Sequence, residues 1–177
     1  LGDSVFKTEQ KMAAKDMDQV GTNSVSRVLK SLFSFPNPVN EVAARMVAGM
    51  VVLLSLAIII TGEGWLIVVL AYGFVARVAT GPTLSPMGTL ATRVLAPRSG
   101  IPSKPVPGPP KRFAQGVGLA FSTTALVLHF GVGSTVGVNV VIGVLTLFAT
   151  LESVVGFCAG CFVFNYLMRW GLIPESV

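Results

Sequence analysis

Two cysteines spaced two residues apart form the sharpest chemical motif in the sequence, Cys158-Ala-Gly-Cys161. On a helix, positions i and i+3 face the same side, so the two thiols would lie close together. A helix break predicted at Gly156 places Cys158 near a helix N-terminus, where a thiolate is stabilised. The pair is therefore a candidate redox dithiol. The alternative is that both are small apolar residues in a packing face.

Three charged residues lie inside otherwise apolar segments: Arg45, Arg77 and Glu152. A charge within a membrane is costly alone and tolerated when paired. We expect Glu152 to pair with Arg45 or Arg77 in a structural polar cluster that clamps two helical hairpins together. The alternative is a proton or substrate site beneath the dithiol.

The single histidine, His129, lies in the third apolar segment and could ligate a haem or chlorophyll. A lone histidine without a facing partner is more often an ordinary helix residue, so we expect no cofactor other than bound lipids. Two cysteines and one histidine do not favour a metal site. The sequence carries no P-loop, dinucleotide fingerprint, nucleophile elbow or metalloprotease signature, and we assign no enzymatic activity from it.

The composition excludes several classes of protein. Of 177 residues, 52% are hydrophobic and 12% are charged, and the mean hydropathy is +0.74. Soluble domains carry about 25% charged residues. The net charge of +5 does not indicate a nucleic-acid partner, because the basic residues lie mostly outside the apolar runs. The sequence therefore predicts a small polytopic membrane protein in contact with the lipid bilayer.

Four apolar segments are long enough, or nearly so, to cross a bilayer as helices. They cover residues 42–61, 64–80, 116–132 and 136–155. The connections within the first pair and within the second pair are only a few residues long, which forces antiparallel neighbours. We expect an all-α fold of four transmembrane helices arranged as two hairpins.

The distribution of lysine and arginine predicts the orientation. Residues 1–35, the central loop and the C-terminal end are basic, whereas the tight connections carry only Glu63. Basic segments stay on the inner side of a membrane. Both termini are therefore predicted to lie inside, in the inner membrane of a mitochondrion, plastid or bacterium.

The chain divides into four parts in this interpretation. Residues 1–34 form a polar extension with an amphipathic interfacial helix, and residues 35–96 form the first hairpin plus a surface helix. Residues 97–112 are a Pro-rich linker on the inner side, and residues 113–177 form the second hairpin plus a C-terminal helix that bears the CxxC motif. Because each half starts after prolines and ends in a surface helix, we expect a parallel pseudo-repeat.

Three stretches of sequence resemble a known family. They are Phe35-Pro-Asn-Pro-Val-Asn-Glu41, the segment 109–118 with its Pro-Pro-Lys-Arg-Phe-Ala-Gln core, and Gly156-Phe-Cys-Ala-Gly-Cys161. Over residues 33–168 the chain resembles the bacterial membrane family catalogued as domain of unknown function 4395. The resemblance implies four membrane helices and a terminal CxxC, with no established activity. Members of that family often accompany thiol and sulfur-transfer proteins, which favours redox chemistry at Cys158 and Cys161.

Two hypotheses for the function follow. The first is a non-catalytic accessory subunit of a larger energy-transducing complex, respiratory or photosynthetic, with other membrane-protein subunits as partners. It rests on the small size, the surface helices and the polar N-terminal tail. The second is a membrane dithiol protein that serves thiol-redox or sulfur exchange on the inner face, with a soluble thiol protein as partner.

Overall fold

The computed structural model describes residues 37–171, and within this range the chain forms helices, the loops that join them and one short pair of strands. The all-α fold class is confirmed. The amphipathic helix predicted within residues 1–34 lies outside the described residues.

The first two helices match the apolar segments predicted from the sequence. Helix α1 covers Glu41–Thr61 and helix α2 covers Gly64–Thr80. Asn40 caps α1, because its side-chain oxygen accepts a hydrogen bond from the backbone N–H of Val42 at 3.0 Å. Gly62 ends α1 with a φ of 68°, a left-handed conformation that glycine adopts without strain. Local sequence signals therefore account for both ends of this helix.

After α2 the chain forms a shorter, irregular helix. Helix α3 begins at Pro86–Leu90, widens into a π-helical turn at Ala91–Leu95 and closes at Ala96–Arg98. Ser85 caps it by accepting a hydrogen bond from the N–H of Gly88 at 3.2 Å. A helix is present at the place where the sequence predicted one after the second apolar segment.

The second pair of long helices starts earlier than predicted. Helix α4 covers Gly108–Leu126 and continues as a π-helical segment over Val127–Val132. Its first turn contains two prolines, which are compatible with a helix N-terminus because the first N–H groups need no intrahelical partner. The linker predicted over residues 97–112 therefore ends earlier than expected, since the last part of the Pro-rich segment forms the first turn of the helix.

Helix α5 covers Thr135–Thr150 and continues as a π-helical segment over Leu151–Val155. Gly156 ends it with a φ of 77°. Helix α6 then covers Ala159–Arg169. The break at Gly156 within the long apolar run is confirmed.

The Pro-rich segment is fastened to the start of α1. Strand β1, Val39–Asn40, pairs antiparallel with strand β2, Pro105–Val106. The N–H of Glu41 donates to the carbonyl of Lys104 at 2.9 Å, and the two side chains form an ion pair at 2.9 Å. These contacts bring the N-termini of α1 and α4 to the same end of the bundle.

The most extensive helix packing joins the first hairpin, α1 and α2, to the second hairpin, α4 and α5. Helix α2 packs most extensively against α4, α1 packs against α5, and α6 packs against α4. The most deeply buried large apolar side chains are Ile58, Ile67, Leu70 and Ile142.

The outer surface of the bundle is strongly apolar. Large side chains such as Leu53, Ile60, Val68 and Val140 are exposed. Within residues 37–171, three helical spans are long and apolar enough to cross a membrane: Glu41–Thr61, Gly108–Val132 and Thr135–Val155. Helix α2 is apolar but has 17 residues. An exposed apolar surface on long apolar helices indicates a membrane protein.

Candidate functional site

The two cysteines form a disulfide in the first turn of α6. Cys158 is the N-cap residue, as the break at Gly156 predicted, and its Sγ accepts a hydrogen bond from the backbone N–H of Cys161 at 3.3 Å. The two Cα atoms are 5.2 Å apart. Both residues are partly exposed. The disulfide therefore links two residues one helical turn apart, and both of them are partly exposed at the surface of the bundle.

This placement distinguishes the two sulfur atoms chemically. A thiolate at an N-cap receives backbone N–H bonds and the favourable end of the helix dipole. Cys158 occupies that position, whereas Cys161 lies one turn inside the helix. After reduction, we expect a thiolate to be better stabilised at Cys158 than at Cys161.

The disulfide-bearing turn is pressed against the start of α4. A Cβ atom at Gly160 would lie 2.6 Å from the Cα of Ala114, so only glycine permits this approach without movement. One turn later, the buried ring of Phe164 contacts the ring of Phe113 with centroids 5.6 Å apart. The position of the cysteines thus depends on close packing between α6 and α4.

Arg45 clamps the segment immediately before the cysteines. Its Nε donates to the carbonyl of Ser153 at 3.2 Å, and its Nη2 donates to the carbonyl of Val154 at 2.8 Å. Carbonyls at a helix end have no intrahelical partner and need one. Arg45 is part of a structural contact between α1 and the end of α5, but its partners are backbone carbonyls and not Glu152.

Replacing Arg45 by Gln is expected to loosen the turn that carries the cysteines. Hydrogen bonds from a charged donor stabilise by about 1.5–3 kcal/mol each, and loss of the pair frees the end of α5. The amide of Phe157, which donates to the carbonyl of Leu151 at 3.2 Å, should then exchange with deuterium about tenfold faster or more. The control is Arg98→Gln at an exposed arginine; equal exchange rates in the two variants would contradict the role of Arg45.

Glu152 pairs with a residue that was assigned to the linker. Its Oε1 lies 2.6 Å from Nζ of Lys111, and the side chains are only 15% and 9% exposed. The expectation that Glu152 would pair with Arg45 or Arg77 was wrong. The reason is the early start of α4, which turns Lys111 from a loop residue into a first-turn residue facing α5.

Arg77 is buried between α2 and α4. The residue is 4% exposed, its Nε donates to Oε1 of Gln115 at 2.8 Å, and its guanidinium lies 4.4 Å from the centre of the Phe74 ring. A cation over an aromatic face is attracted by the ring quadrupole. Arg77 therefore holds α4 through Gln115, a residue that the charge pattern of the sequence did not indicate.

His129 lies in the π-helical part of α4, at the end of the bundle opposite to the cysteines. Its ring contacts Phe130 edge to face, with centroids 4.7 Å apart. A Cβ atom at Gly64 would overlap the His129 ring, so the ring sits against the first residue of α2. The structure does not bring His129 together with the other candidate residues, and ligation of a cofactor by His129 stays an untested alternative.

A cavity of about 280 Å³ lies beside the disulfide. Its lining comes from α1, α2, α4, α5 and α6 and includes Cys158 and Glu152 together with three phenylalanines, Phe74, Phe113 and Phe148. Because five helices contribute, no local sequence pattern could have revealed it. In residues 37–171, no three His, Cys, Asp or Glu side chains come together as a metal site would require.

The sequence matches a known protein family over residues 39–169, a range that includes the clamp, the ion pair and both cysteines. The chain belongs to the family described as Domain of unknown function (DUF4395). The family resemblance seen in the sequence is thereby confirmed. Neither a curated protein nor a solved structure matches the chain.

Proposed function

We propose that this DUF4395 protein is a membrane-embedded thiol–disulfide exchange protein. The observation that carries the proposal is the disulfide at the N-terminus of α6, with Cys158 as the N-cap and both residues partly exposed. If the two cysteines served only as small packing residues, Cys158 would not need to lie at the N-cap of α6. An N-cap cysteine with a partner one turn away is the arrangement in which a stabilised thiolate and a resolving thiol work together.

The exchange proceeds in two balanced steps. A thiolate of a soluble dithiol protein attacks the Cys158 sulfur, a mixed disulfide forms, and Cys161 leaves as a thiolate and takes up a proton. The second thiol of the partner loses its proton and attacks the partner sulfur in the mixed disulfide. Cys158 then leaves as a thiolate stabilised at the helix N-terminus. The partner has lost two electrons, and the membrane protein holds them as a dithiol.

The proposal includes a membrane arrangement with four crossings. Helix α2 is short, yet 17 residues rise about 26 Å along a helix, near the lower limit for a span. Arg45, Arg77, Lys111 and Glu152 gather at the end of the bundle that carries the cysteines. Basic residues favour the inner side, so the disulfide is proposed to face the cytoplasm, matrix or stroma.

Helix α6 fits an interfacial position at that face. Its exposed side chains include Phe162 and Tyr166, with Phe157 just before the helix and Trp170 just after it. Tyrosine and tryptophan favour the level of the lipid headgroups. At that depth the disulfide is within reach of a soluble thiol protein and also borders the bundle interior.

The parallel pseudo-repeat is part of the proposal and has support from matched contacts. Arg45 binds carbonyls at the end of α5, and Arg112 donates from Nε to the carbonyl of Val78 near the end of α2 at 3.0 Å. Ser85 caps α3 as Cys158 caps α6. Cys158 of the second half thus corresponds to Ser85 of the first half. The proposed redox function therefore belongs to the second half only.

The accessory-subunit hypothesis stays a prediction. It rests on the small size, the surface helices and the N-terminal extension, residues 1–34, and the structure does not describe that extension. No contact among the described residues favours it over exchange chemistry.

Single-cysteine variants test the proposal with a defined probe. In Cys161→Ser the remaining Cys158 thiol should react with oxidised glutathione at least about tenfold faster than the remaining Cys161 thiol in Cys158→Ser, because only Cys158 caps the helix. Intact mass over time follows the mixed disulfide on the full chain in lipid nanodiscs. Equal rates, or no adduct in either variant, would count against exchange chemistry.

A further inference from the structure

A dithiol that takes electrons from a soluble partner needs an acceptor before it can act again. We propose that the cavity beside the disulfide binds a membrane quinone, which reoxidises Cys158 and Cys161. The inference rests on the proposed exchange function and names its second substrate. The acceptor is an apolar, planar, two-electron oxidant dissolved in the bilayer.

The position of the cavity supports this assignment. Cys158, Ala159 and Gly160 all line it, so a ligand inside contacts the redox-active turn. Its volume of about 280 Å³ is close to the lower end of small-molecule sites and suits one substituted ring. Phe148 and Val163 line the cavity and are also 38% and 46% exposed on the apolar outer surface. An isoprenoid tail can therefore leave toward lipid between these two side chains.

The lining suits a planar ring. Phe74, Phe113 and Phe148 place three aromatic rings around the cavity, and aromatic faces and edges pack favourably against a conjugated ring. The Phe74 ring lies so close to α4 that a Cβ at Gly118 would overlap it. The guanidinium of Arg77 also stacks on the Phe74 ring. An acyl chain would need none of these fixed rings.

One polar group in the lining suits a carbonyl oxygen of a quinone. Gln115 lines the cavity, and Arg77 occupies its amide oxygen, which leaves the amide NH₂ as the donor that Gln115 offers to a ligand. A donor beside a carbonyl oxygen stabilises the charge that develops on that oxygen during reduction. Glu152 also lines the cavity, but its carboxylate accepts from Lys111 and offers no donor.

The redox step is balanced. The Cys158 thiolate adds to the quinone ring, and the Cys161 thiolate then attacks the Cys158 sulfur. The sulfur–sulfur bond forms as the bond from Cys158 to the ring breaks, and the electron pair of the broken bond stays on the ring. The two protons of the thiols end on the two quinone oxygens. The protein is oxidised to the disulfide, and the quinone is reduced to the quinol.

The experiment uses the reduced full chain in lipid nanodiscs with decyl-ubiquinone. Absorbance follows quinol formation, and the mass shift after maleimide labelling follows loss of the two thiols. Val117→Trp fills the cavity, because Val117 is one of its lining residues. The matched control is Val140→Trp, which adds the same bulk at a side chain 61% exposed on α5.

The expected result is one quinol per disulfide in the wild type and in Val140→Trp, with at least tenfold slower oxidation in Val117→Trp. All three proteins should react with oxidised glutathione at equal rates, which shows that the cysteine turn is intact. Normal exchange with glutathione but no reaction of the wild type with the quinone would overturn the quinone site and leave the proposed function standing. Equal quinone rates in both tryptophan variants would overturn its location in the cavity. Failure of both reactions in the wild type would overturn both proposals.

Discussion

Replacing Lys111 by Met is expected to lower the free energy of unfolding by about 3–5 kcal/mol, because it leaves the Glu152 carboxylate buried without a partner. The ion pair is short, at 2.6 Å, and both side chains are largely shielded from solvent. It joins α4 to the end of α5, two elements on either side of the cavity. Unfolding of the bundle by SDS titration in mixed micelles measures the loss.

The pair Lys104 and Glu41 provides the matched control for this prediction. Its distance is similar, at 2.9 Å, but Lys104 is 72% exposed. An exposed ion pair contributes about 0–1 kcal/mol after solvent screening. Lys104→Met should therefore have a small effect on the same unfolding curve.

A double variant separates the loss of attraction from the cost of an orphaned charge. Lys111→Met combined with Glu152→Leu removes both charges, and well-packed apolar substitutes for a buried pair are often neutral or stabilising. We expect the double variant to be more stable than Lys111→Met alone. A double variant as unstable as the sum of both single variants would show that the two charges do not act as a pair.

Replacing Gly160 by Ala is expected to lower the free energy of unfolding by about 1–3 kcal/mol, because the added methyl group forces α6 away from α4 next to the disulfide. The Cβ would lie 2.6 Å from both Cα and Cβ of Ala114. Backbone atoms cannot rotate away as a flexible side chain can, so α6 has to move. The same SDS titration measures stability, and hydrogen exchange of the α6 amides reports the local loosening.

The control for Gly160→Ala is Gly143→Ala in α5, where nothing lies within 4 Å of the added Cβ. There alanine is the better helix former by up to about 1 kcal/mol, so the variant should be neutral or slightly more stable. The contrast between the two variants isolates close packing from helix propensity. If Gly160→Ala behaved as Gly143→Ala does, the contact between α6 and α4 would not hold the cysteines in place.

Local signals in the sequence were sufficient to predict the positions of most helices. Uninterrupted apolar runs of about 20 residues form helices because the backbone polar groups must be satisfied within the segment. Gly62 and Gly156 end two of these runs, since both adopt a positive φ that other residues avoid. The position of Cys158 at a helix N-terminus followed from the break at Gly156 and needed no tertiary information.

The sequence was misleading where a local pattern had two interpretations. The prolines of residues 97–112 predict a linker, yet Pro109 and Pro110 also fit the first turn of a helix, where their missing N–H groups do no harm. The structure begins α4 at Gly108. That choice placed Lys111 on a helix and made it the partner of Glu152.

The partners of the buried charges were decided only by the tertiary structure. Apolar run length determines which residues form a helix but not which faces of separate helices meet. Arg45 contacts carbonyls about 108 positions away in the chain, and Arg77 contacts Gln115 across two helices. The cavity beside Cys158 depends on five helices at once. Thus the sequence by itself determined the helices and the cysteine turn, whereas packing between helices decided the charge pairs and the cavity, because those contacts join residues far apart in the chain.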